Sequence, residues 1–214
     1  ELRDGLVLLI FGGFDTAAVP EIGYGSQRGG VRKRLVRSTA ELATRLVTNS
    51  NYTLGEIERN VRIDPRRVAV VHHGIPDRFG EPAAERARMA LSVGVVYELN
   101  LRRKGHGPFI EAARLVEDVE FVLAGKWLDD TGERLAASAP PNARLTGFLP
   151  DEELDELFRT AAVYVQASLH EGFGLSLAEA MLAGAVPVVT RAGALPEVVG
   201  PTGVYIDEPT PEAV

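Results

Sequence analysis

Short apolar runs rich in valine recur along the chain and alternate with amphipathic segments, and this rhythm constrains the fold more than any other feature. A strand covered on both faces reads as a continuous apolar run, whereas a strand with one wet face alternates, so the pattern specifies βα units feeding a parallel sheet. Strands are predicted over residues 6–11, 46–49, 68–72, 93–97, 120–124, 144–147, 163–167, 186–190 and 204–206. Helices are predicted over 31–46, 108–115, 151–160, 175–183 and 194–199, with a further short helix opened by a capping box of Thr53 and Glu56.

One composition shift interrupts the rhythm. After the predicted strand 68–72 comes His73-Gly74-Ile75-Pro76-Asp77, then a polar, alanine-rich stretch to Ala90, which reads as an interdomain linker. The expected domains are therefore 1–67 and 68–214. At 214 residues the chain is long for one average domain and short for two, which fits one full domain and part of another. With 45% apolar and 25% charged residues, it is not a disordered, collagen-like or coiled-coil sequence.

The net charge of −7 hides a +5 half (1–107) and a −12 half (108–214). Nucleic acid is not an expected partner for such a surface. Without cysteine there is no disulfide framework, and the four histidines lack metal-ligand spacing, so no metal is expected. Apolar runs fall far short of the ~18 residues of a membrane span, and the first residues resemble neither a secretory nor a transit peptide. The chain, which begins at Glu1, reads as a fragment, a processed product or the ordered part of something longer; the cytoplasm is its expected location.

The densest chemical signal is Ser168-Leu169-His170-Glu171-Gly172-Phe173-Gly174-Leu175-Ser176-Leu177-Ala178-Glu179-Ala180-Met181. It runs from the carboxyl end of a predicted strand through a glycine-bearing loop into a helix, the place where open α/β sheets bind ligands. Unpaired N–H groups and the helix dipole favour an anion there, and Gly172 and Gly174 let backbone approach a phosphate or sugar. Glu179 shares a helix face with Leu175 and Ser176, among apolar neighbours, so its carboxylate needs a ligand or a protein partner. Glu171 is either a ligand contact or a solvated loop residue. Read without further context, the two glutamates also fit the acid and nucleophile of a hydrolase.

Glu171-Gly-Phe-Gly-Leu through Glu179-Ala-Met, followed by Ala183-Gly184 and Pro187-Val-Val189, closely resembles the signature of the retaining glycosyltransferases of family 4 (glycosyl transferases group 1). Val71-His-His-Gly-Ile-Pro-Asp77 is similar to that family's interdomain segment, Arg103-Lys104-Gly105 to its lysine-glycine motif, and Gly193-Ala-Leu-Pro-Glu197 to its later proline-glutamate segment. The resemblance spans about residues 46–208. It implies a GT-B fold: a Rossmann-like parallel-sheet domain for the nucleotide-sugar donor, 68–214, preceded by the end of an acceptor-side α/β domain, 1–67.

The resemblance also implies roles. Glu171 would hydrogen-bond donor-sugar hydroxyls, amides around Gly172, Phe173, Gly174 and Leu175 would face sugar and diphosphate, and Glu179 would accept from the ribose hydroxyls. Lys104, with Arg103 beside it, would meet the diphosphate and stabilise the leaving group. From the residues alone, Lys104 reads equally as a solvated lysine. The implied reaction moves a hexose from a nucleoside-diphosphate sugar to a hydroxyl of a sugar, lipid-linked sugar or small molecule, with retention and without a separate cofactor. Two departures bear on it. Glu98 stands about where the family places a diphosphate-binding arginine, so Arg102 or Arg103 would take that role or donor binding is altered. The histidine often found near the first strand is missing from Phe11-Gly-Gly-Phe-Asp15. They keep open a nucleotide-sugar-binding module without turnover and, more distantly, a GT-B sugar-nucleotide epimerase. Arg28, Arg32, Lys33, Arg34 and Arg37 form a basic run that reads as a solvated face or as a contact with anionic lipid at the inner membrane face.

Overall fold

The computed structural model describes residues 5–81 and 85–214; part of the predicted linker, 82–84, lies outside them. Among the described residues the strands form two sheets, and every pair of these strands is parallel. Contacts divide the chain into two compact units, one running through Gly74 and taking in Glu171–Phe173, the other comprising Ile75–His170 and Gly174–Val214.

In the first unit, β1 (Leu8–Phe11), α1 (Gly30–Leu42), β2 (Arg45–Thr48), α2 (Asn51–Glu56) and β3 (Val68–Val70) follow one another. The strands lie in the order β1-β2-β3, with Leu9 opposite Leu46 and Leu46 opposite Val68. Phe11, Ala40, Leu46, Ile57, Val61 and Val68 close the core, the larger ones each contributing about 1.5–3 kcal/mol by leaving water. The unit does not end at residue 67, the boundary expected from the sequence: the strand that begins at Val68 pairs with β2, and the unit runs on to Gly74. The capping box is also displaced. Ser50, extended and two residues past β2, is the cap and accepts from Thr53 N, while the Glu56 carboxylate accepts from Thr16 Oγ1 at 2.8 Å.

The second unit is a six-stranded sheet. Its elements are β4 (Ala87–Val93), α3 (Glu98–Arg103), α4 (His106–Ala112), β5 (Glu120–Ala124), α5 (Thr131–Ser138) and β6 (Ala143–Gly147). They continue through α6 (Asp151–Thr160), β7 (Ala161–Gln166), α7 (Leu175–Leu182), β8 (Val186–Thr190), α8 (Leu195–Val199) and β9 (Val204–Ile206). The spatial order β6-β5-β4-β7-β8-β9 is doubly wound and reverses between β4 and β7. Alternate side chains serve opposite faces: Met89, Leu91, Val122 and Tyr164 meet α6, α7 and α8 residues such as Phe158, Leu177 and Leu195. Ala90, Phe121, Leu123 and Val165 meet Phe109 and Ile110 of α4.

The central strand was misplaced by the sequence reading. Residues 93–97 were predicted as strand and the stretch to Ala90 as linker, whereas the strand is Ala87–Val93, buried from Met89 to Ser92. Alanine, methionine and serine carry weak strand propensity, and Arg86 and Arg88 look like linker. The valines after Gly94 lead into α3, and Val96, two residues before that helix, is fully buried and bridges to Trp127. Helices α3 and α5 were not predicted. Among the described residues no helix is long and apolar enough to cross a membrane.

Candidate functional site

In a doubly wound sheet the crevice opens beyond the carboxyl ends of the strands at the reversal, here β4 and β7. Gly94 follows β4. A Cβ on it would stand 2.9 Å from Lys104 Cδ and 3.1 Å from His106 Nε2, so the lysine stem and the imidazole converge on the space a side chain would fill. Lys104 ends α3, and Gly105, in the left-handed region at φ 74°, opens α4. A Cβ on Gly105 would stand 2.3 Å from Ala167 O, just past β7, so only glycine brings α4 that close.

His106 is fully buried, and among the described residues neither ring nitrogen has a hydrogen-bond partner. Burial first, then the charges of Lys104 and Arg103, push its pKa down to about 3. It is therefore neutral at physiological pH and adds no competing charge beside the lysine.

Arg103 is buried. Its Nε donates to Asn100 Oδ1 at 2.9 Å, and Asn100 Nδ2 in turn donates to Val95 O at 2.6 Å. Its own carbonyl accepts from Leu169 N at 2.8 Å, tying α3 to the segment after β7. Arg102, by contrast, is exposed. Glu98, in the first turn of α3, accepts from Arg134 Nη2 at 2.7 Å on an exposed surface, so its charge is screened by both partner and solvent.

Gly174 (φ 100°) caps α7, and the first intrahelical bond runs from Ala178 N to Gly174 O at 3.1 Å, so the amides of the first turn precede it. One turn on, Glu179 has the partner its apolar surroundings require. Arg78 Nη2 donates to Glu179 Oε1 at 3.1 Å, while Arg78 Nε is shared between both oxygens of Asp155 at 2.9 and 2.8 Å. These bonds, that to Asp155 foremost, raise the arginine pKa above its usual value. The guanidinium also lies 4.8 Å from the centroid of the Phe79 ring, which meets Phe158 edge-on at 5.8 Å. Sequence reasoning missed both charged partners of this cluster. Asp155 was detectable, because it shares the buried face of α6 with Phe158 three residues on. Arg78 gave no signal within its polar stretch.

Arg103, Lys104, Gly174, Leu175 and Glu179 thus belong to the second unit, and Glu171, Gly172 and Phe173 cluster with the first. Within the first unit Ser50 Oγ donates to Gly172 O at 2.8 Å, and a Cβ on Gly172 would stand 2.7 Å from Gly12 O. The close approach that Gly172 permits here is to backbone. Phe173 meets the His73 ring edge-on at 5.0 Å, and Glu171 is partly buried.

A mannosyltransferase of Mycolicibacterium hassiacum, named MMP alpha-(1->4)-mannosyltransferase, is 34% identical to the chain over 178 residues, covering 81% of this chain and 42% of that protein. The D-inositol 3-phosphate glycosyltransferase of Streptomyces scabiei is 32% identical over 197 residues, covering 80% of this chain and 44% of the relative. The chain therefore spans less than half the length of either relative. The crystal structure of Anabaena Alr3699/HepE in complex with UDP and glucose superimposes with a TM-score of 0.77 at 18% identity, over 96% of this chain and 59% of that one. That likeness establishes the fold, which is that of GT-B glycosyltransferases. The sequence model of the family "Glycosyl transferases group 1" matches residues 88–214, the span that carries Lys104, Gly174 and Glu179, and the chain belongs to that family.

Proposed function

We propose that the second unit binds a nucleoside-diphosphate sugar and that the protein transfers its hexose to a hydroxyl acceptor with retention at the anomeric carbon. The observation that carries this reading is the convergence of Lys104 and Gly94 beside the β4–β7 reversal, in the unit where α7 presents Glu179. A cation placed where negative charge develops on a departing diphosphate lowers the barrier. In the proposed division of labour Lys104 meets the diphosphate, the first-turn amides at Gly174 and Leu175 add backbone donors, and Glu179 accepts from the ribose diol. Arg103 holds the segment after β7 through its carbonyl. Glu171 takes hydroxyls of the donor sugar, with the amides of Gly172 and Phe173 beside it. Neither glutamate is a nucleophile in this account, and no metal or organic cofactor takes part. The named complex of Alr3699/HepE with UDP and glucose supports a donor of this class.

In this proposal the acceptor is a hydroxyl of a sugar, lipid-linked sugar or small molecule, and the reaction runs in the cytoplasm. Membrane contact through the basic run, with Arg28 just before α1 and Arg32, Lys33, Arg34 and Arg37 on it, is part of the same proposal; co-sedimentation with vesicles that ignores anionic lipid content would remove it.

Incubation with UDP-, GDP- and ADP-hexoses, followed by NMR of the anomeric proton, tests the reading. Release of nucleoside diphosphate that Lys104→Ala reduces by about a hundredfold, with the anomeric configuration kept in the product, supports it. Epimerisation of the free donor, or binding without any release, would replace it by the epimerase or the binding module.

A further inference from the structure

We propose that Arg78 is a positioning residue for ribose recognition, holding the Glu179 carboxylate in place from an anchor on Asp155. The inference rests on the donor-site reading above and adds a residue to it.

Two carboxylates share this one guanidinium. The Asp155 side chain is 12% exposed and Glu179 23%, so both are largely withdrawn from water and need a cation. Arg78 Nε spends its single proton on the two Asp155 oxygens, and the Phe79 ring beneath, itself packed on Phe158, fixes the guanidinium plane. The Nη2 proton that reaches Glu179 Oε1 is therefore delivered from a fixed position, with little entropy left to lose. Asp155 lies on α6, Glu179 on α7 and Arg78 on the segment before β4, so three elements of one unit converge on one charge.

The arrangement leaves Glu179 usable. Among the described residues Oε2 has no hydrogen-bond partner, and Oε1, with one bond made, keeps a second lone pair. A carboxylate pinned by one oxygen offers two acceptor positions at fixed spacing, which is what a vicinal diol requires. Without Arg78, Glu179 and Asp155 would be two anions without their common cation, and mutual repulsion would turn Glu179 away from that orientation. The consequence concerns discrimination between a ribose and a sugar lacking one hydroxyl, rather than affinity for the diphosphate.

Calorimetric titration of the protein with UDP, GDP and ADP and with their 2′-deoxy counterparts tests this, using wild type, Arg78→Met, Arg78→Lys and Asp155→Asn. The wild type is expected to prefer the ribonucleotide by about tenfold or more, the worth of a hydrogen bond to a charged acceptor. Arg78→Met should bring the preference close to one while changing affinity for the 2′-deoxy ligand little. Arg78→Lys keeps the charge but cannot span both carboxylates, and Asp155→Asn loosens the anchor, so both should give intermediate preferences; they also carry the test if Arg78→Met fails to fold. A wild-type preference retained in Arg78→Met, or in both other variants, overturns the inference while leaving the donor site standing. Absence of binding by wild type to all three diphosphates overturns the donor-site reading and this inference with it.

Discussion

Gly105 lies against Ala167 so closely that a Cβ on the glycine would stand 2.3 Å from the alanine carbonyl oxygen. Through this contact the start of α4 meets the chain just beyond β7, and Lys104, one residue earlier, is set beside the reversal of strand order. Gly105→Ala should combine left-handed strain with a backbone clash and cost about 3 kcal/mol or more, read as a lower urea midpoint.

Gly94→Ala should act differently. Its backbone is not in the left-handed region, and the new Cβ would meet Lys104 Cδ, part of a flexible stem, at 2.9 Å and the buried His106 ring at 3.1 Å. Stability should fall by about 1–2 kcal/mol, the cost of crowding that ring, while donor affinity falls by about tenfold, because the ammonium leaves its place. Adding Lys104→Ala to Gly94→Ala should then weaken binding little further, a non-additivity that a double-mutant cycle measures.

His106 makes the fold acid-sensitive. Its pKa falls from 6.5 to about 3 on folding, so below pH 6.5 the unfolded chain takes up a proton that the native state refuses. The stability this residue gives is complete above pH 6.5 and is lost as pH falls toward 3, at up to about 1.4 kcal/mol per pH unit. His106→Met, of similar bulk and unable to charge, should flatten the stability profile between those limits; a variant with the wild-type slope would show that other groups set it.

Ser50 performs two tasks in the first unit, accepting from Thr53 N to cap α2 and donating to Gly172 O. Ser50→Ala should cost about 2 kcal/mol, more than a typical cap of about 1 kcal/mol, because Gly172 O is left only the longer bond from Thr53 Oγ1 at 3.3 Å. Faster amide exchange at residues 171–173 in the variant would report the second part directly.

Short, largely apolar runs made several strands legible: residues 120–124, 186–190 and 204–206 are strands as predicted. The helix over residues 151–160 was equally plain, with an acidic first turn after proline. The central strand was not, because its core-facing Met89, Ala90 and Leu91 carry no β-branching and arginines precede and interrupt it. At the site, the glycine-bearing loop and Glu179 stood out as a carboxylate in apolar surroundings. Their partners did not, because Arg78 and Asp155 are 77 residues apart and acquire meaning only once α6 and the segment before β4 are packed together. A sequence pattern records what a residue needs; the fold decides which distant residue supplies it.

The central claim, that the second unit is a nucleotide-sugar donor site, is tested most directly by calorimetric titration of the protein with UDP-, GDP- and ADP-hexoses, beside Glu179→Ala. The account predicts saturable binding of at least one donor and a loss of about tenfold or more in the variant, with an unchanged urea midpoint. No binding of any of them by a folded wild type, or equal binding by Glu179→Ala, would contradict it.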